Sequence, residues 1–438
     1  MRECASLVLA TAMNTIPVTA VATVKETGQA FAAVRKSFFG ILLLVTSCGA
    51  HVEKAADIKF SVARGFYDTN FSVEITCATP GASVRYTTNC FEPDGGNSFL
   101  YTGPVRISKT TVLRAAAFKA GEASSTVTTR TYIFPNDVIT SLSMRTAKHP
   151  LYGPQMRAAL LSLPSMSLVT RSRIGNDKLV KASLEWLTPE GQTGFQENCG
   201  VKLYGGDYTD FAKKNFRLYF RSEFGASKLK FPMFAGHEHG LAAVEEFDQL
   251  ELRSGSHDMV QRGFYMSNIF ADDTMLEMGQ LNPHGRFVHL YLNGTYWGVY
   301  HLRERWGAGM HRRYLGGSSA NYESINGNRN VGGWAEPGVP YDGDGSTWKR
   351  VKSLRRDYKA VRQWLDVPQF IDYMIVWIFG QCEDEYRCVG PTVPGSGFKF
   401  YLNDADGFFQ SPANPWYGEP SNRTAMHPPG RQPGDGPG

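Results

Sequence analysis

The chain has 438 residues, of which 42% are hydrophobic and 20% charged, a balance that excludes a disordered polymer and a length that exceeds one ordinary domain. Aromatic residues at 13% and 45 glycines point to a strand- and turn-rich fold. A net charge of +5 is small for this length and supplies no clustered basic face, so nucleic acid is not an expected partner.

Near the N-terminus, Arg35 and Lys36 precede "SFFGILLLVTSCGA", a basic region, an apolar run of about ten residues and small residues at its end. The run is too short to span a bilayer, so residues 1–47 read as an export signal. "LVTSC" resembles a bacterial lipoprotein box, which implies lipidation of Cys48 and retention at a membrane surface, each buried CH₂ contributing roughly 0.8 kcal/mol. The expected localisation is therefore the cell envelope or the exterior. Residues before Val34 carry no usable pattern, which leaves Val34 open as the true start. None of the seven cysteines forms a C-x-x-C pair; Cys77 with Cys90 and Cys382 with Cys388 are each open to a disulfide or to isolated buried thiols.

After a linker (48–59), residues 60–135 alternate short β-branched runs with turn signals such as "TPGAS", "EPDGGNS" and "KAGEAS". No helix-period segment intervenes, which predicts a small antiparallel sandwich. Residues 136–410 read as mixed α and β. "GVKLYGGDYTDFAKKNFRLYFRSEFG" (200–225) is strand, glycine turn and strand, and "MVQRGFYMSNIFADDTMLEMG" (259–279) is helical. "RFVHLYLNGTYWGVYHLRERW" (286–306) is a hairpin turned at Asn293-Gly294. "STWKRVKSLRRDYKAVRQWLD" is a basic amphipathic helix, "VPQFIDYMIVWIFGQ" a largely buried one, and "SGFKFYLNDADGFF" a closing strand. Residues 411–438 are rich in Pro and Gly and predict disorder.

Candidate chemistry sits at four places. Gly205 and Gly206, lacking Cβ, would let backbone N–H groups approach phosphate oxygens, although two glycines also make a plain β-turn. Lys214 opens the next strand, and Lys213 should point to the opposite face. Asp404 and Asp406 lie on one face if extended and can share a hard cation, or form an acidic turn capped by Gly407. An EF-hand is excluded, because the twelfth position from Asp404 is Pro415. Asp258 and Arg262 are spaced to pair on one helix, and "GHEHG" (236–240) reads as a polar loop.

Two resemblances organise these signals. Residues 60–135, through "PGASVRYTT" and "YTGPVRISKTTVLRAAAF", resemble the C-terminal β-sandwich module of chitobiases and hexosaminidases, which implies a spacer or polysaccharide contact. The phrases "GVKLYGGDY…KKNFRLYF", "LELRSGSHDMVQRGFY", "VHLYLNGTYWGVYHLRERW", "VPQFIDYMIVWIFGQCEDEYR" and "GFKFYLNDADGFF" resemble the spore-coat-protein-H (CotH) kinase family. The implied architecture is a small all-β sandwich followed by an α+β atypical protein-kinase-like domain. The implied activity is transfer of the ATP γ-phosphate to hydroxyl groups of an exported or envelope protein, with Mg²⁺ or Mn²⁺. On that resemblance Lys214, Gly205 and Gly206 contact phosphates, Glu304 lies near the nucleotide, Asp404 and Asp406 hold the metal, and Asp384 orients the acceptor hydroxyl. Glu304 pairing with Arg303 or Arg305 is the competing reading. Cys388 stands where relatives carry a metal-binding asparagine, and relatives continue past the closing strand. Both departures keep open a non-catalytic envelope or polysaccharide-binding protein on a degenerate kinase scaffold.

Overall fold

A computed structural model of the chain describes residues 57–94, 96–120, 124–141, 148–191, 194–205, 212–237, 239–255, 265–327, 338–380, 386–402 and 405. The export signal, Cys48, Asp258, Arg262 and the C-terminal tail lie outside the described residues.

The first module contains nine short strands: β1 (Ile58–Phe60), β2 (Gly65–Phe66), β3 (Phe71–Val73), β4 (Ile75–Cys77), β5 (Ser83–Thr87), β6 (Phe99–Leu100), β7 (Val105–Ile107), β8 (Thr111–Phe118) and β9 (Thr128–Ile133). A five-stranded sheet in the order β2-β9-β8-β5-β6 packs on the pairs β1-β4 and β3-β7. Alternation places Leu113, Ala115 and Ala117 of β8 in the core with Tyr132, Val73, Ile75 and Ile107. Cys77 and Cys90 are free thiols, so that pair forms no disulfide.

Helices α1 (Pro135–Thr140) and α2 (Met156–Leu160) lead into a barrel. Its strands are β10 (Ser165–Val169), β11 (Val180–Leu187), β12 (Gln196–Tyr204), β13 (Asn215–Tyr219), β16 (Gln249–Arg253), β17 (Gly285–Leu292) and β18 (Thr295–Glu304). The short pair β14 (Leu229–Lys230) and β15 (Glu246–Phe247) lies between β13 and β16 in sequence. The order β10-β11-β12-β13-β16-β18-β17 closes through a parallel pairing of β10 with β17, Ser165 opposite His289; every other pairing is antiparallel. Its interior is apolar: Leu168, Leu184, Val201, Phe216, Leu218, Leu250, Leu252, Leu290 and Leu302 are buried together. The β17–β18 hairpin turns where the sequence predicts, with positive φ at Asn293 (52°) and Gly294 (77°), the primed-turn geometry that matches strand twist.

Helix α3 (Ser267–Glu277) joins β16 to β17, and α4 (Ala308–Leu315) follows β18. A second sheet has the order β20-β19-β21-β22, from β19 (Tyr322–Asn326), β20 (Val339–Asp342), β21 (Arg387–Pro391) and β22 (Lys399–Tyr401). One face carries Ile325, Cys388 and Phe400 into a cluster with α3, α5 (Ser346–Ser353) and α7 (Val367–Phe379).

Two expectations are corrected here. The basic helix is two pieces, α5 and α6 (Tyr358–Val361), because Asp357 accepts from the backbone N–H of Ala360 and starts a new helix. Helix α7 is largely apolar, but among the described residues it packs through one side, and Ile371, Ile375 and Phe379 are exposed. Among the described residues no helix is long and apolar enough to cross a membrane.

Candidate functional site

The barrel wall is read twice by the same strands. Even-numbered residues of β13, β16 and β18 fill the interior, while odd-numbered ones, Arg217, Glu251, Arg253, His301 and Arg303, face outward. Register sets Lys202 opposite Arg217, Arg217 opposite Glu251 and Glu251 opposite Arg303, a charged row across four strands. Arg217 donates from Nε (3.0 Å) and Nη2 (2.7 Å) to Glu251 Oε1, and Arg305 Nε approaches the same oxygen at 3.3 Å. Arg303 Nη2 reaches the Asp272 carboxylate of α3 at 3.1 Å, and Asn282 Nδ2 donates to Asp272 Oδ1 at 2.7 Å.

Guanidinium groups gather on this face. Arg217, Arg253, Arg303 and Arg305 surround Glu251 and Asp272, all of them buried. Burial pushes Glu251 up, but the guanidinium groups, Arg217 first, outweigh it and hold the carboxyl below its usual value. Burial raises Asp272 to about 7, against the pull of Arg303. His301, stripped of water beside Arg303 and Arg253, stays well below the ordinary imidazole value and is neutral. Arg303 is fully buried, and among the described residues its Nε and Nη1 have no hydrogen-bond partner. Among the described residues, Arg217, Arg303 and Arg305 gather around the Glu251 and Asp272 carboxylates, an arrangement that can also receive a further anion.

The second sheet meets this face. Arg217 Nη1 donates to the Tyr341 hydroxyl of β20 at 3.0 Å, and the Arg305 guanidinium lies 4.6 Å from the Tyr341 ring centre. Across that sheet Val339 pairs with Asn326, Asn326 with Arg387, and Arg387 with Tyr401, so all four lie in one row at one sheet end. Tyr341 is two residues along β20 from that row, about 7 Å of strand.

Asp384, Asp404, Asp406 and Gly206 lie outside the described residues. Their described neighbours are informative. Tyr386 precedes Arg387 and Leu402 follows Tyr401, and Arg387 and Tyr401 are ladder partners, so β21 begins and β22 ends at the same end of the second sheet. Cys388 turns the other way, into the apolar cluster with Trp348 and Phe398, and burial raises its thiol well above its ordinary value.

Of the described site residues, Gly205 has a φ of +111° and its notional Cβ would lie 3.5 Å from Asn215 Nδ2, beside the start of the lysine-bearing strand. Lys214 lines a cavity at the barrel mouth with Leu203, Phe216 and Trp297, whereas Arg217 faces the second sheet. Lys213 turns into the structure: Nζ donates to the carbonyl oxygens of Ser254 (2.7 Å) and Val299 (2.5 Å), and sits 4.6 Å from the Tyr300 ring centre. Glu304 is fully buried at the other end of β18. Its Oε2 accepts from the His284 backbone N–H (3.2 Å) and the Tyr314 hydroxyl (2.9 Å), and Oε1 lies 3.6 Å from Arg313. The Tyr300 hydroxyl donates to the Lys214 carbonyl, and Glu304 lies four residues further along β18, roughly 13 Å from Tyr300. The structure does not bring Lys214 and Glu304 together. His239 pairs with α3, its Nδ1 2.9 Å from Glu277 Oε1 and its Nε2 3.4 Å from Asp273. Among the described residues no group of three or more His, Cys, Asp or Glu is set to hold a metal ion.

A closed barrel preceded by a β-rich module, with a charged wall opposed by a second sheet, defines the molecule's class. Residues 62–129 match the family described as chitobiase/beta-hexosaminidase C-terminal domain, and residues 201–414 match the family described as CotH kinase protein. Both resemblances read from the sequence are borne out. A search of curated proteins finds no match. The matched ranges leave β10 and β11 between them, so strands outside both matches complete the barrel.

Proposed function

We propose that the chain is an exported, lipid-anchored phosphotransferase that moves the ATP γ-phosphate to hydroxyl groups of an envelope or extracellular protein. The observation that carries this reading is the sheet end where β21 begins and β22 ends, in a sheet joined through Tyr341 to a barrel wall on which Arg217, Arg303 and Arg305 gather. Arg217 and Arg303 hold phosphate oxygens, replacing Lys214 in that role because Lys214 lines the barrel mouth. Gly205, at positive φ where β12 ends, and its sequence neighbour Gly206, which lacks Cβ, suit backbone approach to phosphate. Asp404 and Asp406 supply the oxygen ligands that suit Mg²⁺ or Mn²⁺, which when bound neutralises charge on the transferring group. Asp384 accepts or orients the acceptor hydroxyl proton.

The test is label transfer from γ-labelled ATP to a generic protein acceptor with Mg²⁺ or Mn²⁺. Transfer should fall by about 10²–10⁴-fold in Asp384→Ala and disappear in Asp404→Ala. Label that persists in both variants removes the assignment. The burial of Cys388 in an apolar cluster favours a second reading, a metal-poor, non-catalytic envelope protein. Mg-ATP binding without transfer in the unaltered chain would support it.

A further inference from the structure

Strand β20 is irregular at the point where it meets the barrel wall. Ser324 pairs with Asp342 and Ile325 with Pro340, so Tyr341 is an extra residue in β20, a β-bulge of the kind that re-aims a side chain. β20 is also an edge strand of its sheet. Asp342 turns into the structure, where its Oδ2 accepts from the Ala308 backbone N–H at 2.9 Å. Tyr341 leans on the barrel wall instead: it is 52% exposed, and its hydroxyl accepts from Arg217 Nη1 at 3.0 Å.

Two guanidinium groups act on this phenol. Arg217 donates to it, and the Arg305 guanidinium lies 4.6 Å from its ring centre while also resting 3.9 Å from the Trp306 ring centre. Burial alone would raise the phenol, but the Arg217 charge and then the Arg305 charge outweigh it and hold the group below its ordinary value. That favours the phenolate, the nucleophilic form. Tyr204 supplies the contrast. Its ring centre lies 4.6 Å from the same Arg217 guanidinium, yet its hydroxyl oxygen is buried, and burial raises its phenol. Bulge, exposure and a hydrogen-bonded guanidinium coincide at Tyr341.

We propose that Tyr341 is a phosphorylation site of this chain: the γ-phosphoryl group of ATP passes to Tyr341 Oη, and the resulting phosphate ester is held by Arg217. The Oη–P bond forms as the bond from the γ-phosphorus to the β,γ-bridging oxygen breaks. ADP leaves with that electron pair, and the phenol proton passes to solvent. Oxygens added to Oη fall within reach of the guanidinium that already donates to it, which makes their hydrogen bonds charge-assisted. The inference rests on the phosphotransfer reading and adds a regulation to it. The ester takes the Arg217 contact that the reading gives to ATP, so the modified chain binds Mg-ATP more weakly.

The experiment has two arms. In the first, the full chain is incubated with Mn²⁺, ATP and a generic protein acceptor, and phosphate is mapped by peptide mass spectrometry. It should appear on Tyr341 and not on Tyr204 or on the exposed Tyr152 and Tyr358. An acceptor that is phosphorylated while Tyr341 stays unmodified overturns the inference and leaves phosphotransfer standing; phosphate on neither overturns both. The second arm needs no transfer, because the full chain is made with phosphotyrosine incorporated at position 341. In a phosphorus NMR titration the second ionisation of the ester, ordinarily near about 6, should fall by about one unit or more, and Arg217→Gln should restore it. Calorimetry should show Mg-ATP affinity at least about tenfold weaker than in the unmodified chain. An ester that titrates as free phosphotyrosine does, or a modified chain with unchanged Mg-ATP affinity, overturns the inference.

Discussion

The barrel meets the β module and the second sheet through polar contacts that are built differently. Toward the β module, the fully buried Glu185 receives Arg64 Nε at 3.2 Å and the Thr131 backbone N–H at 3.3 Å, and Thr131 Oγ1 donates to its other oxygen while lying 2.8 Å from Ser167 Oγ. One acid meets one base there, and Ile133, Val138, Leu187 and Tyr291 close an apolar cluster beside it. Toward the second sheet, Arg217 and Arg305 share Glu251 while Arg303 reaches Asp272, and among the described residues two N–H groups of Arg303, like Nη1 of Arg64 on the other side, have no hydrogen-bond partner. A buried acid met by one base holds two pieces together, whereas a cluster of guanidinium groups is a place where an anion can also bind. The contrast separates scaffold from site within one barrel.

Breaking the contact with the β module should have the largest effect. Glu185→Ala strands the Arg64 charge in a buried contact and should cost about 3–5 kcal/mol in urea unfolding, while Mg-ATP affinity in the folded protein stays unchanged. Loss of affinity in step with stability would erase the distinction. Arg217→Gln should do the reverse: Mg-ATP binding weakened by about 1.5–3 kcal/mol, roughly 10–100-fold by calorimetry, while Arg305 still neutralises Glu251. A Lys214→Ala variant that loses as much affinity would move the phosphate contact back to the barrel mouth.

Smaller effects sharpen the comparison. Burial raises Asp272 to about 7 and Asp273 to about 6, so the folded state binds protons that the unfolded chain has lost. Their contribution is fully present below the ordinary carboxyl value of about 4 and declines as pH rises toward 7. Stability should therefore fall between pH 5 and 7.5, by no more than about 1.4 kcal/mol per pH unit for each group, and Asp272→Asn should flatten that slope. A slope unchanged by the variant would mean that Asp272 is ionised throughout. At the hairpin, Gly294→Ala places Cβ at positive φ and close to Val112, which should cost about 1–2 kcal/mol; a neutral result would show a turn free to rearrange.

Local chemistry was legible in the sequence where one short stretch decides the outcome. Asn293-Gly294 announces its turn, and the alternation through 200–219 announces β12 and β13. Barrel closure was not legible, because it depends on a parallel pairing of Ser165–Leu168 with His289–Leu292, more than a hundred residues apart. The helix at 367–379 misled because its composition is largely apolar, whereas among the described residues packing uses one face. Arg217 escaped notice because a charged residue every second position reads as a solvent face. The available signal was that three strands, "FRLYF", "QLELR" and "HLRER", all carry charge on the same parity beside apolar partners, which becomes a buried charged wall once they pair. Attention to Lys214 followed from the resemblance, and strand parity in the structure redirects it.

The account rests on carboxylates meeting the guanidinium wall through a metal-bound triphosphate. The most direct measurement is a crystal structure with Mn²⁺ and a non-hydrolysable ATP analogue, using the anomalous signal of the metal. The account predicts manganese on the oxygens of Asp404 and Asp406, with phosphates within hydrogen-bond reach of Arg217. Manganese bound elsewhere, or a triphosphate seated at the barrel mouth beside Lys214, would contradict it.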